Sequence, residues 1–466
     1  MINKSNKKTP IPEQKPDKRI KNFLEVSLGY DEKMAISEAQ RCLNCKHQPC
    51  IKACPVNVKI PEFIELLSKG EFKAAYEKVC ETNSLPGICG RVCPQETQCE
   101  DLCVRNIKGE SVSIGRLERF VSDWYLKNVK NEKIIIQEKN NTKIAIIGSG
   151  PASLVCAGDL AKLGYDVSVF EAFHIPGGVL MYGIPEFRLP KSLVQKEIDK
   201  IKNLGVNIKT NMVIGKTLNI EDLKEEGYKA IFIGTGAGLP KLLNIPGENL
   251  NGVYFSNEFL ARINLMKAYD FPNVDTPVKI GSRVAVLGGG NVAMDSARSA
   301  KRLGADKVYI LYRRTEKEMP ARAEEIEHAK EEGIEFKYLI SPVRIIGSDK
   351  GSVSGIENIK MKLGEPDSSG RRRPIAIENS EYIIDIDTIV SAIGQNPNKL
   401  VTSTTKDLKT EAWGGITVYE DSGLTSKEGV FAGGDAVTGA ATVILAMGAG
   451  KKSAVAIDKY IKTCKN

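Results

Sequence analysis

The chain has 466 residues, 42% hydrophobic and 27% charged, with a formal net charge of +8. That length supports roughly two to four domains with full cores. Scattered basic residues and only 6% aromatics argue against a nucleic-acid surface. No apolar run approaches the roughly 18 residues of a membrane span. The opening MINKSNKKTPIPEQKPDKR lacks a signal peptide's apolar region, so the expected compartment is the cytoplasm.

In chain order, the first twenty or so residues, rich in Lys and Pro, read as an arm that is extended, docked or disordered. Two cysteine clusters follow: RCLNCKHQPCIKACPVNV, with Cys42, Cys45, Cys50 and Cys54, and the stretch from Cys89 through Cys93 and Cys99 to Cys103. Between them IPEFIELLSKGEFKAAYEKV repeats its apolar residues at helical period. Thiols stay reduced in the cytoplasm, so clustered cysteines point to metal or catalysis rather than disulfides. Zinc sites usually pair two short C-x-x-C knuckles, often with His; this chain has one such knuckle and three His. The run C-x2-C-x4-C-x3-C-P instead resembles the bacterial ferredoxin pattern, whose last cysteine serves the other cluster. Iron–sulfur is the favoured reading and zinc the competing one.

From about residue 140 short apolar strands, glycine turns and helices alternate, as in a doubly wound sheet, and the pattern opens twice: KIAIIGSGPASL at 143 and RVAVLGGGNVAM at 283. In the first, strand 143–147 runs into Gly148 and Gly150. Pro151, Ala152 and Ser153 then open a helix whose N-terminus suits a pyrophosphate. Glu171 ends the next strand, about twenty residues on, where a carboxylate binds a ribose 2′-hydroxyl. The second opening, Gly288, Gly289, Gly290, Asn291 and Val292, leads to a strand ending in Arg313 and Arg314, with Arg322 close behind. Guanidiniums suit a 2′-phosphate, so NADP(H) is expected over NAD(H), against the alternative of a solvated basic strand end.

The stretch GVFAGGDAVTGAATVILAMGAGKKSA, residues 429–454, is the kind of segment that closes an FAD site in two-dinucleotide flavoproteins. Its Asp435 would contact the ribityl–phosphate chain. IFIGTGAG (231–238) and TIVSAIGQNPN (388–398) read as the crossings between two nucleotide domains. The expected fold is α/β, with two Rossmann-like dinucleotide-binding domains. An NADP(H)-binding domain, 251–396, is inserted in a discontinuous FAD-binding domain, 136–250 and 397–466, and an α-helical iron–sulfur domain, 1–135, precedes both. Between residues 104 and 463 the sole cysteine is Cys156, so the redox dithiol of a disulfide reductase is missing.

RCLNCKHQPCIKACPVNV, LPGICGRVCPQETQCEDLC, SIGRLERF, GSGPAS, MYGIPEFRLP, GGGNVAMD and FAGGDAV together resemble the family of the glutamate synthase small (β) subunit. That family includes the N-terminal half of dihydropyrimidine dehydrogenase, and the resemblance covers essentially the whole chain. It implies two [4Fe-4S] clusters in a crossed arrangement. Cys42, Cys45 and Cys50 would join the distant Cys103; Cys54, Cys93 and Cys99 would take a fourth ligand from IGRLERF, where the matching residue is Glu118. The pyrimidine enzyme has an amide there, and a helix-surface glutamate is the alternative. Cys80, Cys89 and Cys464 are then left over. The resemblance also implies that Gly178, Val179, Arg188 and the run from Gly434 through Ala441 to Thr442 border FAD. Gly289 to Val292 would meet the NADP pyrophosphate, and Ala392, Ile393 and Gly394 would approach the nicotinamide. Hydride transfer from nicotinamide to flavin needs stacking and close approach, not a general acid or base.

The chain lacks the amidotransferase and FMN domains that glutamate synthesis requires. IPEQ…RIKNFLEV, GRLERFVSDW, LMYGIPEFRLPK and MPARAEEIEHAKEEG resemble most closely the large subunit of NADH-dependent ferredoxin:NADP+ oxidoreductase, which bifurcates electrons from NADPH. The resemblance implies a flavin/[2Fe-2S] small subunit as partner, with ferredoxin as a possible acceptor. The alternative is the small subunit of glutamate synthase, paired with a glutamine amidotransferase/FMN large subunit. Another acceptor such as sulfur, or a cluster-bearing scaffold, are the lesser readings.

Overall fold

The computed structural model describes residues 3–129, 137–367 and 370–464; the boundary expected at residue 135 lies outside them. The cysteine-rich part is helical. In the helix Ile60–Ser68, Ile60, Phe63, Ile64 and Leu67 recur at spacings of three and four and are all buried, giving one apolar face. Leu117, Val121 and Tyr125 form the same stripe on Ile114–Asn128. The helix Phe72–Cys80 packs on the latter: Tyr76 stacks on Tyr125 with ring centroids 3.8 Å apart, and Phe72 packs edge-on against Phe120. The N-terminal arm is docked: its backbone bonds reach Gln40 from Asn3 and Phe187 from Val26, each at 2.9 Å.

Two sheets follow, the first mixed and the second parallel. The first runs, edge to edge, Val418–Tyr419, Leu424–Thr425, Val430–Ala432, Ala230–Ile233, Lys143–Ile147, Asp166–Phe170 and Asn207–Lys209. Its last five strands are parallel, and three strands come from beyond residue 417. The second sheet, all parallel, orders Val253–Phe255, Thr388–Ser391, Arg283–Leu287, Lys307–Tyr312 and Glu335–Tyr338. The two crossings run side by side, Leu239–Pro240 pairing antiparallel with Gln395–Asn396. A small antiparallel sheet built on the long strand Val353–Pro366 extends the second unit and was not expected from the sequence. No helix among the described residues is long and apolar enough to cross a membrane.

One apolar core joins the cysteine helices to the first sheet, running from Phe63 and Leu117 to Leu154 and on to Met447 and Ile457. Its tightest contact lies between the helices Pro151–Lys162 and Val443–Cys464. A β-carbon at Gly450 would lie 2.1 Å from the carbonyl oxygen of Ala152. Gly450→Ala should therefore push the two helices apart and cost about 1–3 kcal/mol by overpacking. Denaturant unfolding of the variant checks this; an unchanged midpoint would mean that the contact is looser than it looks.

Candidate functional site

The first glycine turn is braced from both sides. Gly148 has φ +90°, and a β-carbon there would lie 2.6 Å from the Gly234 carbonyl oxygen. The amides of Ala152 and Ser153 lie in the first turn of the helix, where no intrahelical acceptor exists. Glu171 accepts from the Ser149 amide at 3.0 Å and the Phe173 amide at 2.8 Å, and the Ser149 hydroxyl also meets it. That hydroxyl accepts in turn from the Gly177 amide at 2.8 Å. The bracing lays Gly178, which begins the short helix Val179–Tyr182, against Gly150. Asp435 follows the interior strand Val430–Ala432, two strands over from Lys143–Ile147, and accepts from the Ala441 amide at 3.3 Å. Burial raises its carboxyl to about 6. Burial raises Tyr182 to about 12, helped by the charges of Glu171 and Asp435.

Arg188, expected to border the flavin, is paired with carboxylates. Its guanidinium is buried against Asp295, at 2.7 Å, and Glu325, at 2.9 Å, both on the second nucleotide unit.

At the second turn, Gly288 to Val292 cap the helix Asn291–Arg302. The Ala321 amide donates to the Gly289 carbonyl at 3.2 Å, and the Arg322 amide donates to Asn291 Oδ1 at 3.0 Å. The Ala392 amide, just past strand Thr388–Ser391, donates to the Leu287 carbonyl at 2.9 Å, and the Gly394 carbonyl accepts from the Lys241 amide. Val292 and Ile393 leave apolar side chains exposed at this turn.

The three arginines expected at the 2′-phosphate separate. Arg313 is exposed and makes no ion pair among the described residues. Arg314 is buried, paired to Asp367 at 2.8 Å and donating to the Arg372 carbonyl at 2.7 Å. Arg322 turns its guanidinium to the cysteine block, onto the Arg91 carbonyl at 2.9 Å and Gln95 at 3.1 Å. Arg313 and Arg314 follow the end of strand Lys307–Tyr312, where the first is exposed and the second is buried among its partners.

The thiols gather in two cavities. Cys42, Cys45, Cys50 and Cys103 line one, with Leu43, Val104 and Ile64. Cys54, Cys93, Cys99 and Glu118 line the other, joined by Cys89. Each of the crossed sets thus lines a single cavity. Burial pushes Cys50 up to about 12 and Cys54 up to about 11. Within each set the thiols disfavour one another's charge: Cys50 feels Cys42 and Cys103, and Cys99 feels Glu118, Cys93 and Cys54. Such a donor set fits a cationic occupant, which would turn every thiol to thiolate. Tetrahedral zinc, with Zn–S about 2.3 Å, would draw its sulfurs to about 3.8 Å from one another. Among the described residues no three cysteine sulfurs come within 4.8 Å of each other.

Glu118 is buried, not on the helix surface. Burial raises its carboxyl to about 8 although the Asn83 amide donates to it at 2.6 Å. Cys89 was set aside in the sequence reading, yet its sulfur lies 3.7 Å from Asn83 Oδ1 and 3.4 Å from Met447 Sδ. The available signal was its position four residues before Cys93 on the same helical run, which puts both on one face.

Two family models match this chain. The dihydropyrimidine dehydrogenase domain II, 4Fe-4S cluster model matches residues 19–130, and the pyridine nucleotide-disulphide oxidoreductase model matches residues 142–450. The glutamate synthase [NADPH] small chain of Halomonas elongata is 36% identical over 97% of this chain and 96% of its own length. The Escherichia coli protein of the same name is 35% identical over 97% of each. The NADPH-Fe(3+) oxidoreductase subunit beta of Geobacter sulfurreducens is 34% identical over 95% of this chain and 68% of its own. Among solved structures, Mycobacterium tuberculosis FprA in complex with NADPH shares the fold. It has a TM-score of 0.59 at 20% identity and covers 70% of this chain and 86% of that one.

The separation of the arginines is directly testable. A charge-assisted bond contributes about 1.5–3 kcal/mol, so Arg313→Gln should lower kcat/KM for NADPH by about tenfold to a hundredfold and leave NADH nearly unchanged. Arg314→Gln should lower the unfolding midpoint with no change in nucleotide preference. Steady-state kinetics with both nucleotides decides it; a preference that follows Arg314 would reverse the assignment.

Proposed function

Because the chain belongs to the family of the NADPH glutamate synthase small chain, we propose that it handles NADPH for a larger electron-transfer complex, as the large subunit of an electron-bifurcating, NADH-dependent ferredoxin:NADP+ oxidoreductase. Family membership makes it an NADPH-dependent FAD and iron–sulfur oxidoreductase. When bound, NADPH and FAD exchange a hydride, and two [4Fe-4S] clusters relay single electrons.

The observation that carries this reading is the continuity of the compartments. Ile444 of the helix packed on the first glycine turn also lines the cavity of Cys54, Cys93, Cys99 and Glu118. Ile60 and Ile114 line that cavity and the one of Cys42, Cys45, Cys50 and Cys103. Gly148, Gly150, Ala152, Ser153, Glu171, Gly178, Val179, Gly434, Asp435, Ala441 and Thr442 would hold FAD. The turn Gly288 to Val292, Arg313 and the run Ala392 to Gly394 would orient the nicotinamide nucleotide. The domain limits read from the sequence are kept as part of this proposal, and so is the cytoplasmic compartment, where thiols stay reduced.

Relatives named as a small chain or a subunit beta support a partner subunit. The motif likeness to the bifurcating large subunit favours a flavin/[2Fe-2S] small subunit, with ferredoxin as acceptor. End-to-end alignment with glutamate synthase small chains supports the second reading, with a glutamine amidotransferase/FMN partner. Anaerobic purification of the native complex separates them. A small flavin/[2Fe-2S] chain and NADPH-driven reduction of ferredoxin together with NAD+ are expected. An amidotransferase partner would establish the second reading, and a chain purifying with no redox partner would contradict both.

A further inference from the structure

The docked N-terminal segment touches all three parts of the molecule. On the nucleotide unit Arg19, 1% exposed, reaches Glu332 at 2.8 Å, Glu331 at 2.6 Å and the His328 carbonyl at 3.3 Å. Glu13 meets His328 Nε2 at 3.0 Å, and Phe23 stacks on Tyr269 at 4.4 Å. On the cysteine block Glu25 pairs with Arg91 at 2.7 Å and Arg119 at 3.1 Å. On the flavin side the Val26 amide donates to the Phe187 carbonyl at 2.9 Å. The segment closes on itself through the Gln14 amide and the Val26 carbonyl, also at 2.9 Å.

A guanidinium is costly to bury unless it is paired, and removing one partner of a buried pair leaves the other uncompensated. Glu332, itself wholly buried, accepts from Arg19, from Arg298 at 2.8 Å and from Arg302 at 2.7 Å. Arg298 and Arg302 lie on the helix Asn291–Arg302, which begins at the second glycine turn. Both sit over the Phe187 ring, at 4.8 and 3.9 Å, one residue before the Arg188 that pairs with Asp295. The group Glu13, Glu324 and His328 has the spacing of a metal site. However, Arg19 at 3.8 Å from Glu13 and Arg116 at 3.6 Å from Glu324 already supply its cations.

We propose that Arg19 is a positioning residue for hydride transfer. Through Glu332 it fixes the helix Asn291–Arg302 against the loop that carries Phe187, and so sets the approach of nicotinamide to flavin. The inference rests on the NADPH-to-flavin reading above. Hydride transfer needs the reacting atoms about 3–3.5 Å apart, so a small rotation between the units costs rate out of proportion to its size. The residues assigned to the nucleotide, Gly288 to Val292 and Arg313, are not among those that Arg19 touches, so binding should survive its loss.

The test uses the full FAD-loaded chain, anaerobically, in stopped flow. A parent protein whose flavin NADPH fails to reduce would tell against the functional reading itself, and the positioning claim is judged only with an active parent. Arg19→Gln should slow flavin reduction by about tenfold to a hundredfold. It should hold the NADP+ dissociation constant within about twofold and weaken the long-wavelength charge-transfer band between nicotinamide and flavin. Arg19→Lys should recover part of both rate and band. Glu331, exposed and paired to Arg19, gives a variant that spares the buried core; Glu331→Gln should slow reduction by about twofold to fivefold. Parental rate and band in Arg19→Gln would overturn the proposal, or in Glu331→Gln should Arg19→Gln fail to retain flavin. So would equal losses of rate and binding, which would mark a structural role only.

Discussion

The close passage of helix Val443–Cys464 across helix Pro151–Lys162 is the contact on which the rest of the arrangement depends. Gly450 lets the two backbones meet at Ala152, next to the first glycine turn. Two residues earlier, Gly448 lets the same helix meet the other side of the molecule, where an added β-carbon would stand 3.3 Å from the Pro55 carbonyl, just after Cys54. Met447, just before Gly448, places its sulfur 3.4 Å from that of Cys89. Larger residues at either glycine would widen the gap between the flavin-side turn and the nearer thiol cavity. Sharing one core between the cysteine helices and the first sheet then makes this separation a fixed property of the fold.

Buried charge is handled in two opposite ways. Between the units every guanidinium meets carboxylates: Arg188 has two, and Glu332 gathers three arginines. Such pairs contribute little net stability, because desolvation offsets most of the attraction, but they penalise any other docking angle. The thiol cavities are the reverse. Burial and their neighbours' charges disfavour ionisation of these thiols, so they keep their protons until a cationic group displaces them.

Much of this was legible in the sequence because it depends on local spacing. The glycine turns follow from strand, turn and helix in fixed order. The crossed cysteine sets came only from family resemblance, since Cys103 lies 61 residues after Cys42 (103 − 42) and no local rule links them. The fate of individual arginines was not legible. Arg313 and Arg314 differ by one residue, yet one is exposed and the other buried, and the partner of Arg314, Asp367, directly follows a strand, Val353–Pro366, in a sheet the sequence did not announce. Arg188 carries no local sign that its carboxylates belong to the other nucleotide unit. The arm was open among three outcomes, because Lys-rich and Pro-rich composition does not say where Arg19 and Glu25 find their partners.

The central claim is that two separate iron–sulfur sites lie side by side, divided by Ile60 and Ile114. Anomalous diffraction at the iron edge from anaerobically grown crystals tests it most directly. The account predicts two polynuclear iron peaks. One is bounded by Cys42, Cys45, Cys50 and Cys103; the other is bounded by Cys54, Cys93 and Cys99, with continuous density to Glu118. A single peak, a mononuclear zinc signal, or density joining Cys89 instead of Glu118 to the second site would contradict it.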